Sequence, residues 1–217
     1  MDGCQSNNYN FALRPLASNL SSMTRIFPTL ASLSLGLFLA SVVLGLSVGD
    51  LYNAPTEATL KTRGIHMLTG TAAALAVVFV HSIAVTYFVG TSRWCKEVTE
   101  TYHLDPTPLR RSTILKRRTF PWCVMGMLAV VGIGALGAAS DPGTGRANTA
   151  DMANYHLIAA LGGIAFIGWT YFQAWQNIAE NQVVIQQIIG MVARIRRERG
   201  LDTDTAAEPP QAAVASR

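Results

Sequence analysis

Four apolar stretches, residues 26–49, 64–91, 119–140 and 152–179, contain no Asp, Glu, Lys or Arg, and every charged side chain falls before, between or after them. A helix rises 1.5 Å per residue, so about 20 apolar residues cross a hydrocarbon core of about 30 Å with their backbone hydrogen bonds satisfied internally. Each stretch meets that length. The pattern predicts an all-α integral membrane protein, a four-transmembrane-helix up-down-up-down bundle over 26–179 with cytoplasmic helix extensions. Residues 1–25 form a polar segment, read as cytoplasmic. The first apolar stretch is too long for a signal peptide and lacks a small-residue cleavage pattern, so it is expected to remain as a span.

Residues 92–104 hold no Gly or Pro, so the second helix is expected to continue until Asp105 and Pro106 stop it. Thr107 suits an N-cap with Pro108 at the first helical position, and Pro121 predicts a kink in the third helix. Beyond the fourth stretch, Ile178, Asn181, Ile185, Ile188, Val192 and Ile195 recur every three or four residues. That heptad seam predicts an amphipathic extension over 180–200, either packed on the second and third helices or paired with a second copy or another partner through residues 178–195. Residues 201–217, rich in Ala, Pro and Thr, read as a disordered tail.

Composition agrees with a membrane protein: of 217 residues, half are apolar and only 14% charged. The basic residues add orientation. Fourteen of the 17 Lys and Arg lie before the first stretch, between the second and third, or after the fourth, and three lie in the other two connections. The positive-inside rule therefore places both termini in the cytoplasm, with a bacterial inner (plasma) membrane as the default compartment. Such clusters suit anionic headgroups of the lipid bilayer, and nucleic acid is not implied. The three cysteines, Cys4, Cys95 and Cys123, form no CxxC or CxxCH, so a disulfide framework, a structural zinc site and covalent haem attachment lack support.

The only ionisable bases within the stretches are histidines: His66 and His81 in the second and His156 in the fourth. A polar ring in lipid needs a partner, which makes these three the starting point for function. His66 follows Asp50 by sixteen residues and His156 follows Asp141 by fifteen, as though two helical hairpins shared one plan. Both histidines enter from the same side at nearly the same depth, on helices that are diagonal in such a bundle. Two imidazoles at one level are a ready axial pair for haem iron. Interfacial packing is the other reading, with glycines serving close helix contact. No carboxylate or thiolate shares that depth to complete a zinc or copper shell.

On these residues the chain resembles the four-helix membrane cytochromes b, in which haem lies inside the bundle between axial histidines on the second and fourth helices. The resemblance implies a haem b held by His66 and His156 (haem iron), with Gly70, Gly162 and Gly163 against the macrocycle and Gly132, Gly134 and Gly137 on the third helix. The family commonly spaces two histidines thirteen or fourteen residues apart on each ligand helix. Here His66 and His81 are fifteen apart and the fourth stretch has no second histidine. A candidate second site is left to His81 with Tyr171 or Met127, and a hydrogen bond from His81 to Tyr171 or to a backbone carbonyl is the expectation favoured over a second haem.

No GxSxG, HExxH, Walker loop or dinucleotide fingerprint is present, which points away from a stand-alone enzyme. Two functions remain: an electron-transfer cytochrome-like protein with a bis-His haem near the outer face and quinol or another redox carrier as donor, or a haem-free scaffold or assembly subunit acting through its cytoplasmic helices.

Overall fold

The computed structural model describes residues 6–145 and 149–201, with side chains from residue 23 onward. Four long helices follow one another: α1 (Ser6–Leu46), α2 (Glu57–Tyr102), α3 (Thr107–Ser140) and α4 (Thr149–Glu198). All four are long and apolar enough to cross a membrane. Sequential helices pack side by side, α1 closes on α4, and α2 also meets α4 across the middle. The result is an all-helical bundle of four.

Each helix outruns the apolar stretch that announced it. The polar start is helical from Ser6, so the first helix absorbs most of 1–25. Thr56 begins α2 eight residues ahead of the apolar run, accepting the Thr59 N–H while Thr59 returns a bond to the Thr56 backbone. At the far end α2 stops where expected: His103 takes a left-handed φ of 52°, and the Leu104 N–H reaches back to the Thr99 carbonyl. Asp105, and not Thr107, accepts the Thr107 N–H at the start of α3, leaving Thr107 as the first helical residue. α3 runs through Pro121 without interruption, leaving the Arg117 carbonyl without its usual intrahelical donor. Apart from Leu201, the expected tail lies outside the described residues.

At 46 and 50 residues, α2 and α4 are about 69 and 75 Å long, more than twice a hydrocarbon core. The two ends of the bundle therefore differ. One, here the histidine end, carries the connections after α1 and α3; the other, the terminal end, carries the α2–α3 turn and the close of α4.

The buried positions of α4 recur every three or four residues from Ala160 through Gly163, Ile167, Thr170, Ala174, Asn177 and Asn181 to Ile185, Ile188 and Val192, with one change of heptad register at Asn181. The expected seam is thus the last part of a longer one. It is used internally: Val184, Ile185 and Ile188 pack with Cys95, Trp94, Val98 and Leu109 from α2 and α3. Asn181, wholly buried, fixes that packing, donating to Thr91 Oγ1 (3.1 Å) and Tyr87 Oη (3.3 Å) on α2 and accepting from Ser112 Oγ (2.8 Å) on α3. Asn177 adds a bond to Thr119 Oγ1 of α3.

Elsewhere the surface is apolar. Leu33, Leu68, Leu75, Phe79, Leu128, Ile158 and Phe172 are all more than half exposed, while Ser34, His81, Thr170 and Asn177 are buried. A bundle in water would place these groups the other way round; this distribution is consistent with lipid as the surrounding solvent.

Candidate functional site

His66 lies in the third turn of α2 and His156 in the second turn of α4, both at the histidine end and both half-buried. Their rings face across the bundle with centroids 6.1 Å apart and planes crossed at 72°. Each ring is steered from its own hairpin. His66 Nδ1 lies 2.9 Å from the Ser41 carbonyl oxygen on α1, and His156 Nδ1 lies 3.1 Å from the Ile133 carbonyl oxygen on α3. A helical carbonyl keeps a second lone pair after accepting its i+4 N–H, but the side chain at i+4 normally shields it. At both carbonyls that residue is glycine. A Cβ on Gly45 would come within 2.9 Å of His66 Cε1, and one on Gly137 within 3.0 Å of His156 Cε1.

The site is therefore two copies of one device: a carbonyl, a glycine four residues on, and a histidine from the next helix. First-helix positions differ by 92 residues (41 to 133, 45 to 137) and second-helix positions by 90 (66 to 156). Matching the Val42-Val43 and Val130-Val131 pairs would instead set Gly45 against Ile133. The geometry shifts that alignment by one helical turn.

A donated Nδ1–H leaves Nε2 as a lone-pair donor turned away from the carbonyl, the arrangement that orients metal-binding histidines. No hydrogen bond to either Nε2 is present among the described residues. The separation can be set against two uses. Rings meeting through a shared metal, with bonds of about 2.0–2.1 Å and about 1.1 Å from nitrogen to ring centre, place their centroids roughly 6.3 Å apart. Rings joined by a direct hydrogen bond of roughly 2.9 Å would stand about 5.2 Å apart. At 6.1 Å and 72° the pair stands near the first spacing, which is also that of an ordinary edge-to-face ring contact. Among the described residues no group of three or more His, Cys, Asp or Glu is placed to hold an ion.

Comparison with family models, curated proteins and solved structures gave no match. The site must be read from its own geometry.

The glycines expected against a macrocycle divide. Gly70 faces the Ser41 hydroxyl, 3.1 Å from where a Cβ would sit, and Gly163 is covered by the Ile133 side chain. Gly162 turns outward, exposed, with nothing near its missing Cβ, because adjacent helical residues point about 100° apart. Gly132 and Gly134 are also exposed, whereas Gly137 belongs to the site. The concavities beside Ala135, Ala138 and Ala139 and beside Arg25 and Leu30 have no histidine in their walls. The donors suit an axial pair; a macrocycle entering between the helices needs Ser41 and Ile133 to turn aside.

About 22 Å further along α2, His81 is fully buried. Its Nδ1 bonds the Val77 carbonyl (2.9 Å), its Nε2 meets Thr170 Oγ1 (3.0 Å), and its ring stacks on Tyr171 at 4.6 Å with a tilt of 32°. The expected carbonyl bond is present. Tyr171 contributes stacking instead of a hydrogen bond to His81, because its hydroxyl is engaged with Ser34 (3.0 Å). Met127 sits at the core margin, its sulfur 3.9 Å from Ser82 Oγ. The residues of the candidate second site are thus neighbours, but both His81 nitrogens are occupied.

Sequence reasoning missed Gly45 and the two carbonyl acceptors. It also missed the ion pair above the rings, in which Arg63 Nη2 lies 2.6 Å from both carboxylate oxygens of Asp141.

Proposed function

We propose that this is a membrane electron-transfer protein of the b-type cytochrome kind, with one redox centre ligated by His66 and His156 near the outer face. The observation that carries the reading is the pair of opposed rings, each with Nδ1 committed to a carbonyl and Nε2 uncommitted, at 6.1 Å. Haem b is the form of centre that two imidazoles alone complete, since a porphyrin supplies the other four ligands; a bare ion needs further donors. When bound, the iron supplies one-electron chemistry. His66 and His156 would supply the two protein ligands, the Ser41 and Ile133 carbonyls orient the rings, and Val42, Val130 and Ala160, within four residues of Ser41, Ile133 and His156 along their helices, are buried and apolar. A quinol or another redox carrier is the proposed donor, with both termini cytoplasmic.

The experiment is a spectrum. Protein purified in detergent from a haem-replete host is expected to show a Soret band and a reduced-minus-oxidised α band, and His66→Ala or His156→Ala to abolish or displace both. Colourless wild-type protein would leave the second reading, a haem-free scaffold. That reading draws support from the extension of α2, α3 and α4 past the apolar stretches, with a core of its own. Because the 178–192 seam is buried in this chain, a partner or second copy would have to meet another face of α4, such as that of Val183.

A further inference from the structure

Each ligand ring is anchored only within its own hairpin: His66 to α1, His156 to α3. Their separation is therefore set by how hairpin α1–α2 sits against hairpin α3–α4, and the structure assigns two polar ties to that task at this end. Arg63 lies three residues before His66, one turn nearer the histidine end on the same face of α2. Its guanidinium crosses to Asp141, which caps α3 four residues after Gly137. The carboxylate is held in place, since Asp141 Oδ1 also accepts the Gly143 N–H at 2.9 Å. The turn is shaped around the cation: a Cβ on Gly143 would stand 2.6 Å from Arg63 Nη2. Tyr52 makes the second tie, its hydroxyl donating to the Ser140 carbonyl at 2.9 Å.

Among the described residues, the corresponding turn of the first hairpin has no such pair. Asp50 accepts the backbone N–H groups of Tyr52 and Asn53 within its own loop, and the position 90 residues after Arg63 is Ala153, whose methyl group offers no cation. Among the described residues the site has two like halves and one ion pair between them.

We propose that Arg63 and Asp141 are positioning residues whose ion pair holds the two hairpins at the separation that brings His66 and His156 to one metal. The metal half of the statement rests on the function proposed above; the clamp does not. The test separates them. Spin labels on Leu60→Cys and Tyr155→Cys, exposed residues on the two hairpins, are placed in a Cys4→Ser background, the other two cysteines being buried. Electron–electron double resonance should give one narrow distance, which Arg63→Gln and Asp141→Asn each broaden by several ångströms and Arg63→Lys largely restores. In unlabelled protein, haem titration should show affinity reduced about tenfold in both variants, the size of effect seen when groups behind a metal ligand are lost, with a shifted α band, and Arg63→Lys should recover both. An unchanged distance distribution in the two variants overturns the clamp. Broadened distances in the two variants, with a wild type that takes up no haem, would uphold the clamp and sink the metal reading. Broadened distances with unaltered haem affinity and spectrum would overturn the positioning role.

Discussion

At the histidine end, His66 and His156 each commit one ring nitrogen to a carbonyl and keep the other. Midway down the same bundle, His81 commits both. The two layers are related by the same offsets. His81 and Tyr171 are 90 residues apart, and Gly126, which lies against the His81 ring, is 92 residues from Ser34, which bonds Tyr171. Where the first layer has a histidine and a glycine in both hairpins, the second has Ser34 and His81 in the first hairpin and Gly126 and Tyr171 in the second, and each ring meets the small residue of the opposite hairpin. The difference shows that a buried histidine is informative through its second nitrogen, more than through its depth.

Proton bookkeeping sharpens the contrast. Thr170 Oγ1 has one hydrogen and two neighbours, the Ile167 carbonyl at 2.8 Å and His81 Nε2 at 3.0 Å. Giving it to Ile167 would require Nε2 to carry a proton as well, an imidazolium with no carboxylate beside it, which burial penalises by several kcal/mol. The arrangement that avoids this is a neutral ring, with Nδ1–H donating to Val77 and Nε2 accepting from Thr170. His81 is then a packed and satisfied residue.

The largest expected effect follows from that contrast. His66→Ala or His156→Ala should abolish or displace the haem bands, whereas His81→Ala should leave both the bands and the haem-to-protein ratio unchanged. A ratio that falls with His81→Ala would erase the distinction between the layers. The same His81 variant is expected to lower stability by about 2–4 kcal/mol, since it empties a filled core position and strips Thr170 of a partner. Thermal unfolding in detergent reads this as a lowered midpoint, with His66→Ala shifting it less because that ring is only half-buried.

Glycine substitutions probe the layers at finer grain. Gly126→Ala would press a methyl into the His81 ring, which cannot retreat while held by Val77 and Thr170, so overpacking should cost about 1–3 kcal/mol with haem content unchanged. Gly45→Ala and Gly137→Ala should do the reverse. Their methyl groups would push a ring off its carbonyl, reducing haem affinity by about tenfold or more, with a smaller change in the unfolding midpoint. Equal effects on affinity from all three would mean that the layers are mechanically one.

How much of this was legible in the sequence depends on what each feature needs. The four apolar helices, the stop at Asp105 and the common level of His66 and His156 follow from spacing along single helices, which 1.5 Å and 100° per residue translate directly. The seam was legible for the same reason, although only its charged end stood out from the apolar background. Gly163 and Gly162 could not be assigned to inside and outside without the rotation of α4. The carbonyls of Ser41 and Ile133 are invisible to residue type, because what matters is the glycine one turn on and the register of the facing helix. Arg63 and Asp141 are 78 residues apart, and only the packing of two hairpins joins them.

The smallest effect concerns that fastening and acid. Burial alone would raise the Asp141 carboxyl, but the Arg63 bond, the Gly143 N–H and the Arg63 charge outweigh it and hold the group below its ordinary 3.8. A carboxylate with a lowered native value adds stability above the unfolded-state value and loses it as pH falls through the native one. The clamp should thus be intact at neutral pH and open only below the ordinary 3.8, where Tyr52, pushed up by burial and by the Asp141 charge, stays neutral and offers no substitute for the carboxylate. The spin-label distance between the hairpins, followed from pH 7 to pH 3, should broaden at the acid end in the wild type and stay flat in Asp141→Asn, already broad at pH 7. A wild-type distance that broadens well above that carboxylate range would set the Arg63–Asp141 clamp aside as the cause.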